Sequence, residues 1–230
     1  RSHFGSSASP HRGSMRWAVC SVLLRLPTLV TGACKDGFCV EEKDGNLYEG
    51  AWEDGVRHGV GKQKLADGSS YFGNWVNNGR QGFGIFRWNE GMVYAGQWKH
   101  DQRHGVGVHK WADGNMYRGD WRNDKMDGGG VYTWSDGRKY TGEWSKDVIE
   151  GCGLHLDAAQ EGSEGRWEQN ALVQECSTSN CCMAEIETAL KRSKLANSAA
   201  RKAKKLKNDG DSGKQEKSDD DEPSGDRSEL

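Results

Sequence analysis

Tyr71-Phe72-Gly73-Asn74-Trp75 decides the fold, because the stretch recurs. Tyr-x-Gly-x-Trp stands at Tyr48/Gly50/Trp52, Tyr71/Gly73/Trp75, Tyr94/Gly96/Trp98, Tyr117/Gly119/Trp121 and Tyr140/Gly142/Trp144, always 23 residues on. A degenerate sixth copy keeps the register at Ser163/Gly165/Trp167. A fixed period of this size is the mark of a repeat array.

Other columns keep the same step. A glycine pair stands at Gly59/Gly61, Gly82/Gly84, Gly105/Gly107, Gly128/Gly130 and Gly151/Gly153. Asp67-Gly68, Glu90-Gly91, Asp113-Gly114 and Asp136-Gly137 signal turns, and a turn former stands three residues after each Trp: Gly55, Asn78, Asp101, Asp124, Asp147, Asn170. Such residues tolerate left-handed backbone or bond their own main chain. Between the turns the apolar pattern alternates at period two, which means strands, and Asp-Gly between two such runs signals a hairpin. Each repeat therefore reads as two short antiparallel strands. One carries Tyr and Trp and its neighbour carries two glycines, so that each ring lies where a side chain is missing. Glycine otherwise weakens a strand, so its repetition implies close packing. Burial of the rings then stabilises the array, at about 25 cal/mol per Å² of apolar area.

Tyr-x-Gly-x-Trp followed by Gly-x-Gly and Asp-Gly at this period resembles the MORN (membrane occupation and recognition nexus) repeat family. Arg57-His58-Gly59-Val60-Gly61 and Arg103-His104-Gly105-Val106-Gly107 are typical members. The resemblance covers about residues 46–170. It implies an all-β fold, an elongated antiparallel β-hairpin array; a short C-terminal basic helix and disordered termini, read from the residues themselves, flank it. Four repeats are full, the fifth fades after Gly153, and the sixth is a remnant. Atypical last copies are expected where an array must close its core, and Ala171-Leu172-Val173 reads as the cap.

Composition agrees. Of the 230 residues 34% are hydrophobic, while Gly numbers 32 and Trp 10, which suits aromatic rings on glycine better than an aliphatic core. The net charge of −2 gives the whole molecule no strong electrostatic preference. Residues 1–45 read as a disordered or targeting segment. Residues 1–33 lack Asp and Glu, and Met15–Ala33 resembles a signal peptide or organelle presequence interrupted by Arg25. Among the seven cysteines, Cys34/Cys39 and Cys176/Cys181 look paired, but five repeats at about 10 Å each separate the two pairs too far for one metal ion. The cysteines read as free thiols in the cap regions. Local disulfides stay open for a secreted chain.

Residues 171–207 read as a cap and a basic helix, with Met183, Ile186 and Leu190 at helical spacing. Lys191, Arg192, Lys194, Arg201, Lys202, Lys204, Lys205 and Lys207 make it basic; it docks on the array end, meets an anionic surface or acts as a nuclear signal. The acidic tail, 208–230, reads as disordered.

No nucleophile elbow, kinase signature or phosphate loop is present. His58 and His104 occupy equivalent turns and read as architecture. The mixed charges of the array argue against a single-stranded nucleic-acid platform. The expectation is a non-enzymatic scaffold with no cofactor and no metal, binding a helical or extended protein segment through Tyr71, Trp75, Tyr94, Trp98, Tyr117 and Trp121. The resemblance implies a cytoplasmic, cytoskeletal or ciliary setting, or a secretory or organellar one if Met15–Ala33 is a targeting signal. Self-association through open edge strands stays open. The alternative is a membrane tether holding anionic phospholipid through the basic helix.

Overall fold

A computed structural model describes residues 34–176 and 181–212. The Met15–Ala33 segment and the tail beyond residue 212 lie outside them. The described residues form thirteen strands that follow one another as a single antiparallel meander in strict chain order. They are β1 (Gly37–Lys43), β2 (Asn46–Glu53), β3 (Val56–Lys64), β4 (Ser70–Val76), β5 (Gly79–Arg87), β6 (Val93–Lys99), β7 (Gln102–Lys110), β8 (Met116–Arg122), β9 (Lys125–Thr133), β10 (Lys139–Ser145), β11 (Val148–Leu156), β12 (Gly162–Glu168) and β13 (Ala171–Glu175). One helix, α1 (Met183–Ser212), follows.

Two kinds of turn alternate. The residues after each Trp make two-residue turns in which both residues have positive φ, as at Asn77-Asn78 (48° and 67°) and His100-Asp101 (49° and 64°). The Asp-Gly and Glu-Gly pairs also join antiparallel neighbours, but inside five-residue loops such as 65–69 and 88–92. The tighter turns tie neighbouring hairpins together. Asp101 Oδ1 accepts the Arg80 N–H at 2.9 Å, and Asp124 Oδ1 accepts that of Arg103 at 2.9 Å.

The rings form one continuous ladder: Trp52, Tyr48, Trp75, Tyr71, Trp98, Tyr94, Trp121, Tyr117, Trp144, Tyr140, Trp167. Successive centroids are 5.1–5.6 Å apart, with planes at 78–90°. That edge-to-face geometry places the positive rim of one ring on the negative face of the next. Each Tyr ring lies over the second glycine of the pair on the following strand. A Cβ built on Gly61, Gly84, Gly107, Gly130 or Gly153 would overlap the ring of Tyr48, Tyr71, Tyr94, Tyr117 or Tyr140. The Tyr hydroxyl donates back to its own strand, Tyr94 to the Gln97 carbonyl at 2.8 Å. Trp98 Nε1 donates to the Gly84 carbonyl at 3.3 Å.

The first glycine of each pair serves a bulge. The register of β4 and β5 skips between Gly73 and Trp75, opposite Gly82 at φ +71°. An acceptor two residues beyond the ring strand's Phe72-type position satisfies the freed N–H. Asn74 Oδ1 accepts from Phe83, Gln97 Oε1 from Val106, Asp120 Oδ2 from Gly129 and Glu143 Oε2 from Cys152, at 2.9–3.2 Å. A buried N–H without a partner costs about 1–3 kcal/mol, so this column holds the bulge in place.

α1 does not sit on the end of the array. It lies across the sheet face opposite the ring ladder and touches β4 through β11. Its 30 residues measure about 45 Å, enough to cross the roughly 34 Å that eight strands span. Its buried stripe is Ile186, Ala189, Ser193, Ala196, Ala199, Ala200 and Ala203, whereas Met183, Leu190 and Leu195 are about half exposed. The Met183–Ile186–Leu190 spacing is thus only partly the docking face, because alanines allow the close approach that leucines would prevent. Gly129 marks the crossing: a Cβ there would stand 3.2 Å from the Ala189 Cα. Equivalent residues in the other full repeats are Val60, Phe83 and Val106, so repeat four departs from the pattern where the helix passes. The helix also runs on past residue 207 to Ser212.

The cysteines are paired, not free: Cys34–Cys39, Cys152–Cys182 and Cys176–Cys181. Their Cα separations of 5.3–6.1 Å fit a disulfide. Cys20 lies outside the described residues.

The ring-on-glycine contact yields a direct expectation. Gly107→Ala should destabilise the protein by about 1–3 kcal/mol or more through overpacking against Tyr94. Urea unfolding followed by Trp fluorescence measures this; an unchanged midpoint would refute the packing account.

Candidate functional site

The six aromatics expected to line a groove are core residues. Tyr71, Trp75, Tyr94, Trp98, Tyr117 and Trp121 are 0–4% exposed. Burial pushes the Tyr71, Tyr94 and Tyr117 phenols well above their ordinary range. A partner meeting this face touches what covers them.

Two columns form that cover. The first is Arg57, Arg80 and Arg103, whose guanidinium carbons stand 4.3–4.5 Å above the rings of Trp75, Trp98 and Trp121. Such contacts contribute about 0.5–1 kcal/mol near the surface. Each arginine is also held by the turn of the next repeat. Arg80 Nε lies 3.0 Å from Asp101 Oδ1, and Arg103 Nε 3.0 Å from Asp124 Oδ1. The column was legible as Arg at 23-residue steps, although its place over the tryptophans was not. In later repeats Met126 and Ile149 replace it, both buried.

The second column begins beside the ladder. Phe86, Trp88, His109, Trp111, Tyr132 and Trp134 form a row with centroids 4.4–5.4 Å apart. Phe86 and His109 are buried, whereas Trp88, Trp111, Tyr132 and Trp134 are half-buried and offer ring surface to solvent. Trp88, Trp111 and Trp134 stand 23 residues apart, a signal that the alternation within strands obscured because they open the five-residue loops.

The opposite face is basic. An open trough of about 810 Å³ runs between α1 and the sheet, lined among others by Arg87, Lys110, Arg118, Arg201, Lys204 and a single carboxylate, Glu90. Among the described residues, none of these five cations makes an ion pair. Arg201 and Lys204 belong to the basic set expected on α1; Arg87, Lys110 and Arg118 come from the strands. Lys64, Arg87 and Lys110 share one repeat column, which could have revealed the strand contribution. Lys194 and Lys205 are exposed, Lys207 is half-buried, and Lys191 pairs with Glu187 at 3.1 Å. Lys202 stands 5.3 Å over the Phe83 ring. Arg192 is half-buried and already engaged: its Nε donates to both Asp120 carboxylate oxygens at 2.8 Å, fixing α1 to β8. The helix thus divides the expected set between docking and display. No helix among the described residues is long and apolar enough to cross a membrane.

His109 is the one buried imidazole of the row. Burial, aided by the Arg103 cation, pushes its pKa down to about 4. Arg103 Nη1 lies 3.4 Å from Nδ1, which acts as acceptor in the neutral ring. Above pH about 6.5 the imidazole is neutral folded or unfolded, and its contribution to stability is full. As the pH falls from about 6.5 to about 4, the unfolded chain takes up a proton that the folded chain refuses, and up to roughly 3 kcal/mol is lost. Tyr132 holds the equivalent place in the next repeat, so His109→Tyr should remove this part of the acid sensitivity. Denaturant midpoints at pH 7.5 and 4.5 for both proteins test this; equal pH slopes would refute it.

No curated protein matches the chain. The family model for the MORN repeat matches residues 48–70, 71–93, 94–116, 117–137 and 140–156, in register with the Tyr–Trp ladder. Residues 48–156 of this chain are five consecutive MORN repeats.

Proposed function

We propose that the protein is a non-enzymatic scaffold whose ring-bearing face receives an extended or helical segment of a protein partner. The observation that carries this is the half-buried row Trp88, Trp111, Tyr132 and Trp134, repeated at the array's own period. Aromatic rings with one face packed and one face wet supply contact area at little entropic cost. MORN repeats are a non-enzymatic repeat type known from protein and membrane interaction scaffolds. A cytoskeletal or ciliary assembly is the proposed setting, on the resemblance of these repeats to those of such proteins.

The test separates cover from core. Trp88→Ser/Trp111→Ser should abolish recovery of the partner in quantitative affinity proteomics while the chain stays folded, with a smaller fall in unfolding temperature than Trp98→Ala causes. Trp98→Ala should cost about 3–5 kcal/mol and lose the partner by unfolding. An unchanged set of partners with the folded double variant overturns this reading.

A second reading, a tether to anionic phospholipid, has its own support in the five cations of the trough, none of them ion-paired among the described residues, and in the exposed Lys194 and Lys205. Each cation near an anionic bilayer contributes about 1 kcal/mol. Arg87→Gln/Lys110→Gln/Arg201→Gln should therefore weaken binding to phosphatidylserine vesicles by about 100-fold. Co-sedimentation should also fall with salt and be absent on phosphatidylcholine alone. Binding that ignores both salt and the substitutions rules the tether out.

A further inference from the structure

Three sulfur atoms and a carboxylate meet at the C-terminal end of the array, and a fourth sulfur, Cys152 Sγ, joins them through Cys182. Cys152 comes from β11, Cys176 directly follows β13, and Cys181 and Cys182 directly precede α1. They pair as Cys152–Cys182 and Cys176–Cys181. The two pairs are not independent staples, because Cys181 Sγ lies 3.8 Å from Cys182 Sγ. A Glu164 carboxylate oxygen of β12 and the Sγ atoms of Cys176, Cys181 and Cys182 all lie within 4.8 Å of one another.

Thiolates at about 2.3 Å from a central tetrahedral ion stand about 3.8 Å apart. We propose that in the reduced protein Cys152, Cys176, Cys181 and Cys182 are the four ligands of one structural zinc ion. Reduction requires two equivalents of a dithiol. Each gives two electrons and two protons to one disulfide and is itself oxidised to a disulfide, so four thiols result. Zn²⁺ then takes the four sulfurs as thiolates, and their four protons pass to solvent. The backbone is suited to that charge. Cys181 and Cys182 stand at the N-terminus of a 30-residue helix, where the dipole and unsatisfied N–H groups favour thiolate. Glu164 is already engaged: its Oε1 accepts the Cys182 N–H at 2.9 Å. It acts as an outer partner that holds the Cys181-Cys182 turn against β12. Cys182 is fully buried, so water is kept from one side of the site. In place of two covalent bonds, the ion ties the start of α1 to β11 and to the end of β13. Among the described residues the remaining pair, Cys34–Cys39, brings together only two sulfurs and offers no such donor set.

The experiment uses the full chain, reduced with excess dithiol under inert gas, freed of the dithiol and dialysed against Zn²⁺ or Co²⁺. One zinc per chain is expected by elemental analysis. The cobalt form should show thiolate charge-transfer bands and the intense d–d bands of tetrahedral Co²⁺. Cys34→Ser/Cys39→Ser should leave both unchanged. Glu164→Gln should keep the stoichiometry and weaken binding by about 10–100-fold, as loss of an outer partner does; Cys176→Ser should weaken it more. The cobalt spectrum of the unaltered chain decides the matter even if a cysteine variant fails to fold. A reduced, folded chain whose four thiols react freely and that retains no metal overturns the proposal. So does a weak octahedral cobalt spectrum, or a chain that unfolds whenever the two disulfides are opened.

Discussion

The perpendicular contact between Tyr and Trp is the constraint on which the rest of the structure depends. Each Tyr meets its own Trp four residues on and the next repeat's Trp twenty-seven on, at nearly equal distances, as Tyr94 does with Trp98 at 5.1 Å and Trp121 at 5.5 Å. Contacts within and between repeats are therefore the same interaction, and no repeat closes its core alone. Such an array is stable by the sum of nearest-neighbour terms. The rings fix the glycines, because a Tyr lying flat over the adjoining strand leaves no room for a Cβ. The glycines in turn allow the bulges, and the bulges call for the Asn74, Gln97, Asp120 and Glu143 acceptors. At the N-terminal end Cys34 is buried in the same cluster as Tyr48 and Trp52, with Cys39 packed against it, where an earlier repeat would have placed its rings.

The two faces of the sheet solve different packing problems. One is filled by large rings. The other carries Ile85, Ala95 and their neighbours, which with Ala200 and Ala203 of α1 form a second, thinner core. Little apolar area is buried there, so the helix needs more than the hydrophobic effect to settle its position. Arg192 supplies it. Its carboxylate partner Asp120 already caps the β9 bulge through the Gly129 N–H. One side chain thus couples the internal geometry of repeat four to the docking of a segment 72 residues away in sequence. Gly129 completes the arrangement by letting the helix backbone descend at the same point.

Periodicity explains what was legible. Any contact that recurs every 23 residues has a column in the sequence, so the strands, the turns after Trp and the ring-on-glycine packing could be read from Tyr71–Trp75 outward. Contacts made once have no column. The path of α1 along the sheet, the Arg192–Asp120 pair and the joining of Cys152 to Cys182 are single events between distant segments. The alanine stripe carried a weak hydropathic signal beside Leu190 and Leu195, which are half exposed. The acceptor column at Asn74, Gln97, Asp120 and Glu143 was visible but looked like ordinary polar filling, because its purpose depends on a bulge that alternation alone does not reveal.

The same distinction bears on recognition. A residue present in every copy serves the task common to all copies, which here is holding the ladder, and Tyr94 or Trp98 is buried as that task requires. Specificity falls to the columns that vary. Over the tryptophans the sequence changes from Arg57, Arg80 and Arg103 to Met126 and Ile149, and at the loop openings it runs Leu65, Trp88, Trp111, Trp134 and Asp157. The ring-bearing face therefore carries arginines tied to the neighbouring turns over its first repeats and apolar side chains over its later ones, with the half-buried tryptophans between. On the scaffold role proposed above, a segment lying along it would meet a different chemistry at each 23-residue step, and near-identical units would still fix both its direction and its register.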